Sequence, residues 1–217
     1  MRDQTIENSY RMFRNATREH ELTIKHDDGL YRHLHCAKPG TGIWSFDIVT
    51  WPGHLSIGGD IDSYVFARTP DMFEFFAGSG DGPHGINPHY WGEKVVTRAR
   101  RPEREYSPDA FKTAVVTDFM QCRDAYPGES AEIFRAIRDF VLDSDYIDQA
   151  EHARAAVDRF EHRTRSGKTF DFGDWIEWNI TDWSPHFLRA CHAIVWGIRG
   201  YRKVKAGTKV EAVAANA

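Results

Sequence analysis

The sequence predicts an α+β fold: an antiparallel β-meander of about five strands, helices packed on one face of it, and a helical C-terminal half. Three observations carry that expectation. Between residues 22 and 68 apolar and polar residues alternate with period two, interrupted by short turn signals. From residue 107 to 162 the apolar residues fall instead at helical spacing. Ser107-Pro108 and Ser184-Pro185 each place an N-cap residue before a proline at the first helical position.

Taken in order, residues 4–19 form an amphipathic helix with Ile6, Tyr10, Phe13 and Thr17 on one stripe. Strands follow at 22–26 and 30–37, joined by the turn Asp27-Asp28-Gly29, then at 43–50, 54–58 and 63–68. Residues 71–76 make a short aromatic helix, 78–89 a Gly- and Pro-rich loop, and 88–98 a further helix. Arg98, Arg100, Arg101 and Arg104, interspersed with Glu103 and Glu105, form a charged connector. Three helices come next. The first starts at Ser107 with Phe111, Val115, Phe119 and Cys122 on one stripe; the second starts at Ser130 with Ile133, Phe134, Ile137, Phe140 and Val141 on one face; the third spans about 148–162. Residues 170–183 alternate again and read as a sixth strand or an extended arm. The last helix runs from His186 to about Tyr201. Residues 1–201 are expected to form a single domain, and residues 202–217 a basic, flexible tail.

Composition excludes some classes. With 217 residues and 41% hydrophobic content the chain has enough apolar area to fold throughout. Its 28 Lys+Arg against 32 Asp+Glu lack the basic excess of a dedicated duplex-DNA binder. Cys36, Cys122 and Cys191 are too few and too scattered for a disulfide framework or a zinc site, so free thiols in a reducing compartment are expected. The first twenty residues contain no apolar signal segment, and no apolar run approaches the roughly 20 residues that cross a bilayer. The expected location is cytoplasmic, with no membrane partner.

Period two separates the meander into two faces. Leu34, Cys36, Trp44, Phe46, Ile48, Leu55, Ile57, Tyr64 and Phe66 share the core face; His33, His35, Asp47, His54 and Ser56 are among those on the other. Three chemistries suit that polar set. His33, His35 and Asp47 are the types that ligate a divalent metal, which is the one cofactor the sequence allows. His33, His35 and His54 are candidate general acids and bases for a phosphodiester without any metal. The same groups can instead hydrogen-bond a nucleotide. The plain alternative is a solvated sheet face, where polar residues are expected anyway. A second candidate lies on the last helix, where His186, Arg189, His192, Trp196 and Arg199 fall on one stripe. Arg189 and Arg199 would clamp a phosphate while Trp196 stacks on a base. The loop from Gly78 to Gly85 can cradle an anion but matches neither a Walker A loop nor a dinucleotide fingerprint.

Several runs carry a resemblance: Asp28 to Leu34 (DGLYRHL), Phe46 to Leu55 (FDIVTWPGHL), Asp71 to Phe76 (DMFEFF), Asn87 to Trp91 (NPHYW), and His186-Phe187-Leu188 with Ala193 to Ile198 (AIVWGI). Together they resemble a family of uncharacterised phage and prophage proteins, over most of the chain up to about Tyr201. The resemblance implies a phage origin and action in the cytoplasm of a bacterial host, and it brings no activity with it. In that context the expected function is an anti-defence accessory protein. It would sequester, or cleave, a nucleotide-type host immune signal in a pocket formed jointly by the polar sheet face and the last helix. A metal-dependent phosphodiesterase or nuclease using the His/Asp face, and a binder of a host protein through an aromatic patch, remain alternatives. A homo-oligomer is compatible with each.

Overall fold

Strands one to five of the meander each pair antiparallel with the next through short connections, and a sixth joins the edge antiparallel after a longer helical connection. The computed structural model describes residues 2–77, 82–98, 101–143 and 147–215, the side chains of residues 2, 3 and 208–215 excepted. Helix α1 (Arg2–Ala16) precedes a sheet of β1 (Glu21–Asp28), β2 (Tyr31–Ala37), β3 (Phe46–Trp51), β4 (His54–Gly59), β5 (Tyr64–Ala67) and β6 (Val95–Arg98), ordered as in the sequence. Asp28 pairs with Tyr31, which leaves a two-residue turn in which Gly29 takes φ +59°. Trp51 pairs with His54 across Pro52 and Gly53. Proline presets the first corner of that turn and Gly53, at φ +81°, supplies the second.

The sixth strand was expected to be a helix. After α2 (Met72–Ala77), helix α3 (Pro88–Gly92) stops after a single turn, and Val95 to Arg98 join the open edge of β5. Two consecutive β-branched valines favour the pleated conformation, and a free edge supplies the partner that local periodicity cannot reveal.

The chain divides into two compact units where a single domain was expected. Residues 1–103 and 183–217 form one, and residues 104–182 form the other. In the first, Leu34, Cys36, Phe46, Ile48, Leu55, Ile57, Tyr64 and Phe66 are fully buried as the alternation requires, while Trp44, expected with them, lies in the turn before β3 and is half-buried. Helix α7 (Pro185–Ala215) covers them with Phe187, Leu188, Cys191, Ile194 and Ile198. Gly197 brings the helix close, since a Cβ there would overlap Cδ1 of Ile48 and lie 3.9 Å from Cδ1 of Leu34. The helix continues past Tyr201 in place of the expected flexible tail. Lys205 Nζ donates to Asp27 Oδ2 at 2.7 Å, Tyr201 Oη donates to Asp27 Oδ1 at 2.8 Å, and Arg202 pairs with Glu74 at 2.6 Å.

The second unit is mainly helical. It holds β7 (Arg104–Tyr106), α4 (Pro108–Cys122), α5 (Ser130–Ile137) with a π-helical turn over 138–142, and α6 (Ala150–Asp158). The hairpin β8 (Glu161–Arg163) and β9 (Thr169–Asp171) follows, and β10 (Thr181–Trp183) pairs with β7. The arm expected over 170–183 is thus two short strands around a 3₁₀ turn at 175–177. Ser107 caps α4 as its sequence suggests, its side chain accepting from the Ala110 N–H at 3.2 Å. Phe111, Val115, Phe119, Ile133, Ile137, Val141, Val157 and Phe170 form a separate core.

Candidate functional site

Alternation and the position of α7 decide which predicted residues can meet. Helix α7 lies on the apolar face, so the outward residues of β2 and β3 project from the opposite side of the sheet. There Asp47 stands directly across from His35 and two residues from Val49, the partner of His33. Both rings converge on one oxygen: His33 Nε2 donates to Asp47 Oδ1 at 2.6 Å and His35 Nδ1 donates to the same atom at 3.1 Å. Ser56 sits on that face between Val49 and Val65. His54 stands apart, stacked on Trp51 with ring centroids 5.0 Å apart and planes 8° from parallel. Among the described residues no group of three His, Cys, Asp or Glu side chains is placed to hold a metal ion. The single pocket expected to combine this face with the last helix therefore does not form.

The helix stripe divides as well. Arg189 stacks its guanidinium 4.2 Å from the Trp44 ring centroid, is half-buried, and is not among the residues lining the recess that holds His192 and Arg199. Burial lowers its pKa, Arg101 adds to that, and Asp60 and Asp62 oppose it. Trp44 itself adopts φ +59°, the only non-glycine with positive φ among the described residues. Its N–H donates to Asp60 Oδ2 at 2.7 Å and its carbonyl accepts from His20 Nε2 at 3.0 Å, which holds the strained backbone in place.

His192, Trp196 and Arg199 do come together, with residues that the sequence reading did not select. They form one wall of a recess of about 1150 Å³. The other walls are Tyr10, Phe13 and Arg14 of α1, Thr17, Arg18 and His20 of the turn after it, and Glu21 and Leu22 of β1. Arg202 and Lys203 extend the wall along α7, so five cationic side chains face the single carboxylate of Glu21. Arg14, Arg18 and Lys203 make no ion pair among the described residues. The helix approaches β1 closely at Gly200, where a Cβ would stand 2.9 Å from Cδ1 of Leu22.

His192 is 4% exposed, between the rings of Tyr10 at 5.3 Å and Phe13 at 6.1 Å. Burial pushes its pKa down to about 4, against a hydrogen bond to the Ile6 backbone carbonyl that favours the proton. Trp196 is half-buried and meets Phe46 edge-on at 6.0 Å.

The other basic features are engaged elsewhere or fall outside the description. Arg98 pairs with Glu103 at 3.1 Å, Arg101 lies 3.9 Å from Asp62, and Arg104 donates to the Thr181 carbonyl at 2.8 Å. Arg100 and residues Gly78 to Asp81 of the glycine-rich loop lie outside the described residues. The second unit holds a smaller recess of about 560 Å³, whose walls include Ala136, Phe140, Ala155, Ala156 and Phe160. Among the described residues no helix is long and apolar enough to cross a membrane. No family model, curated protein or solved structure matches this chain.

Proposed function

We propose that the chain binds a nucleotide-type anion in the recess between α1, β1 and α7. One observation carries the reading: an excess of cations shares a single cavity with Tyr10, Phe13 and Trp196. A phosphorylated ligand needs charge at one end and a flat apolar surface at the other, and base stacking on an aromatic ring is worth about 1–3 kcal/mol. At about 1150 Å³ the recess is slightly larger than the roughly 300–1,000 Å³ of ordinary ligand pockets. A neutral, weakly basic His192 is a poor general base at pH 7, which favours sequestration over cleavage. The resemblance to phage proteins makes a host signalling nucleotide the ligand to test first.

The test is a tryptophan-fluorescence and calorimetric titration with AMP, cyclic mononucleotides and cyclic dinucleotides, each at low and at raised salt. Micromolar binding is expected for at least one of them. It should weaken at high salt and fall about tenfold or more in an Arg14→Gln, Arg18→Gln double variant. Both arginines are exposed, so the variant keeps its fold. Absence of binding by every nucleotide at millimolar concentration would overturn the reading, as would binding indifferent to the double substitution.

A further inference from the structure

Residues 104–182 hold a recess of their own, of about 560 Å³, inside the range of ordinary small-molecule sites. Its apolar lining is Ala136, Phe140, Ala155, Ala156 and Phe160. Three of these are alanines, of α5 and α6, whose small side chains leave the space open. The π-helical turn over 138–142 accounts for an exposed aromatic in that lining. A π turn holds more residues than an α turn, so Ile133, Ile137 and Val141 stay in the core while Phe140 is displaced from their face. Phe140 is 73% exposed. Turns of this kind recur at functional sites, and a ring left in water beside an apolar recess offers area for a ligand to cover.

The polar lining narrows the ligand. Besides two histidines it consists of Arg159 and Glu161, one charge of each sign, flanking Phe160 in the chain. Phe160 packs inward on Phe170 and Phe172. Arg159 and Glu161 are exposed, and neither makes an ion pair among the described residues. His162, by contrast, already stands 3.6 Å from Glu132. We infer that this recess binds a free α-amino acid with an aromatic side chain. Arg159 takes the carboxylate, Glu161 takes the ammonium, and the ring lies against Phe140, Phe160 and the alanines. An aromatic acid or an aromatic amine would leave one of the two charges unmatched, and a nucleotide would bring its phosphate towards Glu161. The recess shares no residue with the one between α1, β1 and α7, so the inference stands independently of the nucleotide reading.

The experiment titrates the full chain with L-phenylalanine by calorimetry, beside three analogues. Phenylpropionate lacks the ammonium, phenethylamine lacks the carboxylate, and L-alanine lacks the ring. L-phenylalanine is expected to bind about three- to tenfold tighter than either aromatic analogue, and L-alanine to show no measurable binding. Arg159→Gln should weaken L-phenylalanine by a similar factor and leave phenethylamine unchanged. Glu161→Gln should weaken it likewise and leave phenylpropionate unchanged. Both side chains are exposed, so these variants keep the fold. Ala155→Leu, which fills the recess, should abolish binding of every aromatic ligand, and the charge variants report even where it unfolds. No binding of L-phenylalanine at millimolar concentration would overturn the inference. So would equal affinity for L-phenylalanine and either aromatic analogue, or binding indifferent to both charge substitutions.

Discussion

His192 is the residue whose burial has the plainest energetic consequence. Its pKa falls from an ordinary 6.5 to about 4 in the folded chain. The unfolded chain therefore binds the proton first as pH drops. The stability associated with the neutral ring is complete above about pH 6.5, declines between 6.5 and 4, and is fully lost below that. The shift corresponds to about 3 kcal/mol. Urea unfolding at neutral and at mildly acidic pH is expected to show a larger stability loss in the native chain than in His192→Phe; equal losses would contradict the assigned burial. Arg32 and Asp71 supply a second test. Two bonds of 2.8 and 2.9 Å join them, Arg32 lies over the Phe73 ring at 4.6 Å, and Asp71 also accepts from the Phe73 N–H at 2.9 Å. The guanidinium of Arg32 holds the Asp71 carboxyl below its usual range. Asp71→Ala strands a largely buried cation and removes the cap of α2. It is expected to cost about 2–4 kcal/mol by chemical denaturation.

At the scale of elements, two glycines set how closely segments approach. Gly59 adopts φ +129°, and a Cβ there would stand 2.6 Å from the Ser45 carbonyl oxygen and 2.9 Å from Cα of Phe46. Those are backbone atoms at the start of the paired strand, which cannot turn aside. Gly59→Ala is expected to destabilise by about 2–3 kcal/mol, seen as a clear drop in Tm, although alanine loses less chain entropy on folding than glycine. Gly197 differs because the atom in the way is the end of the Ile48 side chain. Ile48 is fully buried and has nowhere open to move. Gly197→Leu, which adds a whole isobutyl group, is expected to cost more than about 2 kcal/mol despite the gain in helix propensity. The strand that sequence missed has a clear cause. Val95 to Arg98 became a strand because β5 offered an edge, a fact about distant pairing that no local window contains.

On the scale of the whole molecule, residues 104–182 leave from and return to adjacent points of the first unit. The Ser184 N–H donates to the Glu103 carbonyl at 2.9 Å. Each unit has its own buried core, so the insertion is expected to be removable. A chain with 104–182 replaced by a short Gly-Ser linker should unfold cooperatively and keep native-like amide chemical shifts for β1 to β6. A molten product would show that the two units depend on each other for folding. The three cysteines fit the expectation of free thiols. Burial raises Cys36 to about 12, with Asp47 adding to the effect, and raises Cys191 well above its ordinary value.

The sequence alone determined which residues of the meander turn inward, where α4 begins, and which half of the chain is helical. Each of these is written in neighbours a few positions apart, through side-chain alternation, capping and turn chemistry. Tertiary structure decided everything that depends on which surfaces meet. It put α7 on the apolar side of the sheet, so His33, His35 and Asp47 were separated from His192 and Trp196. It also laid α1 beside α7, which added Tyr10, Arg14 and Arg18 to the recess. Periodicity assigns a residue to a face of its own element. The partner of that face is chosen by packing between segments far apart in the chain, and that choice leaves no trace in any local pattern.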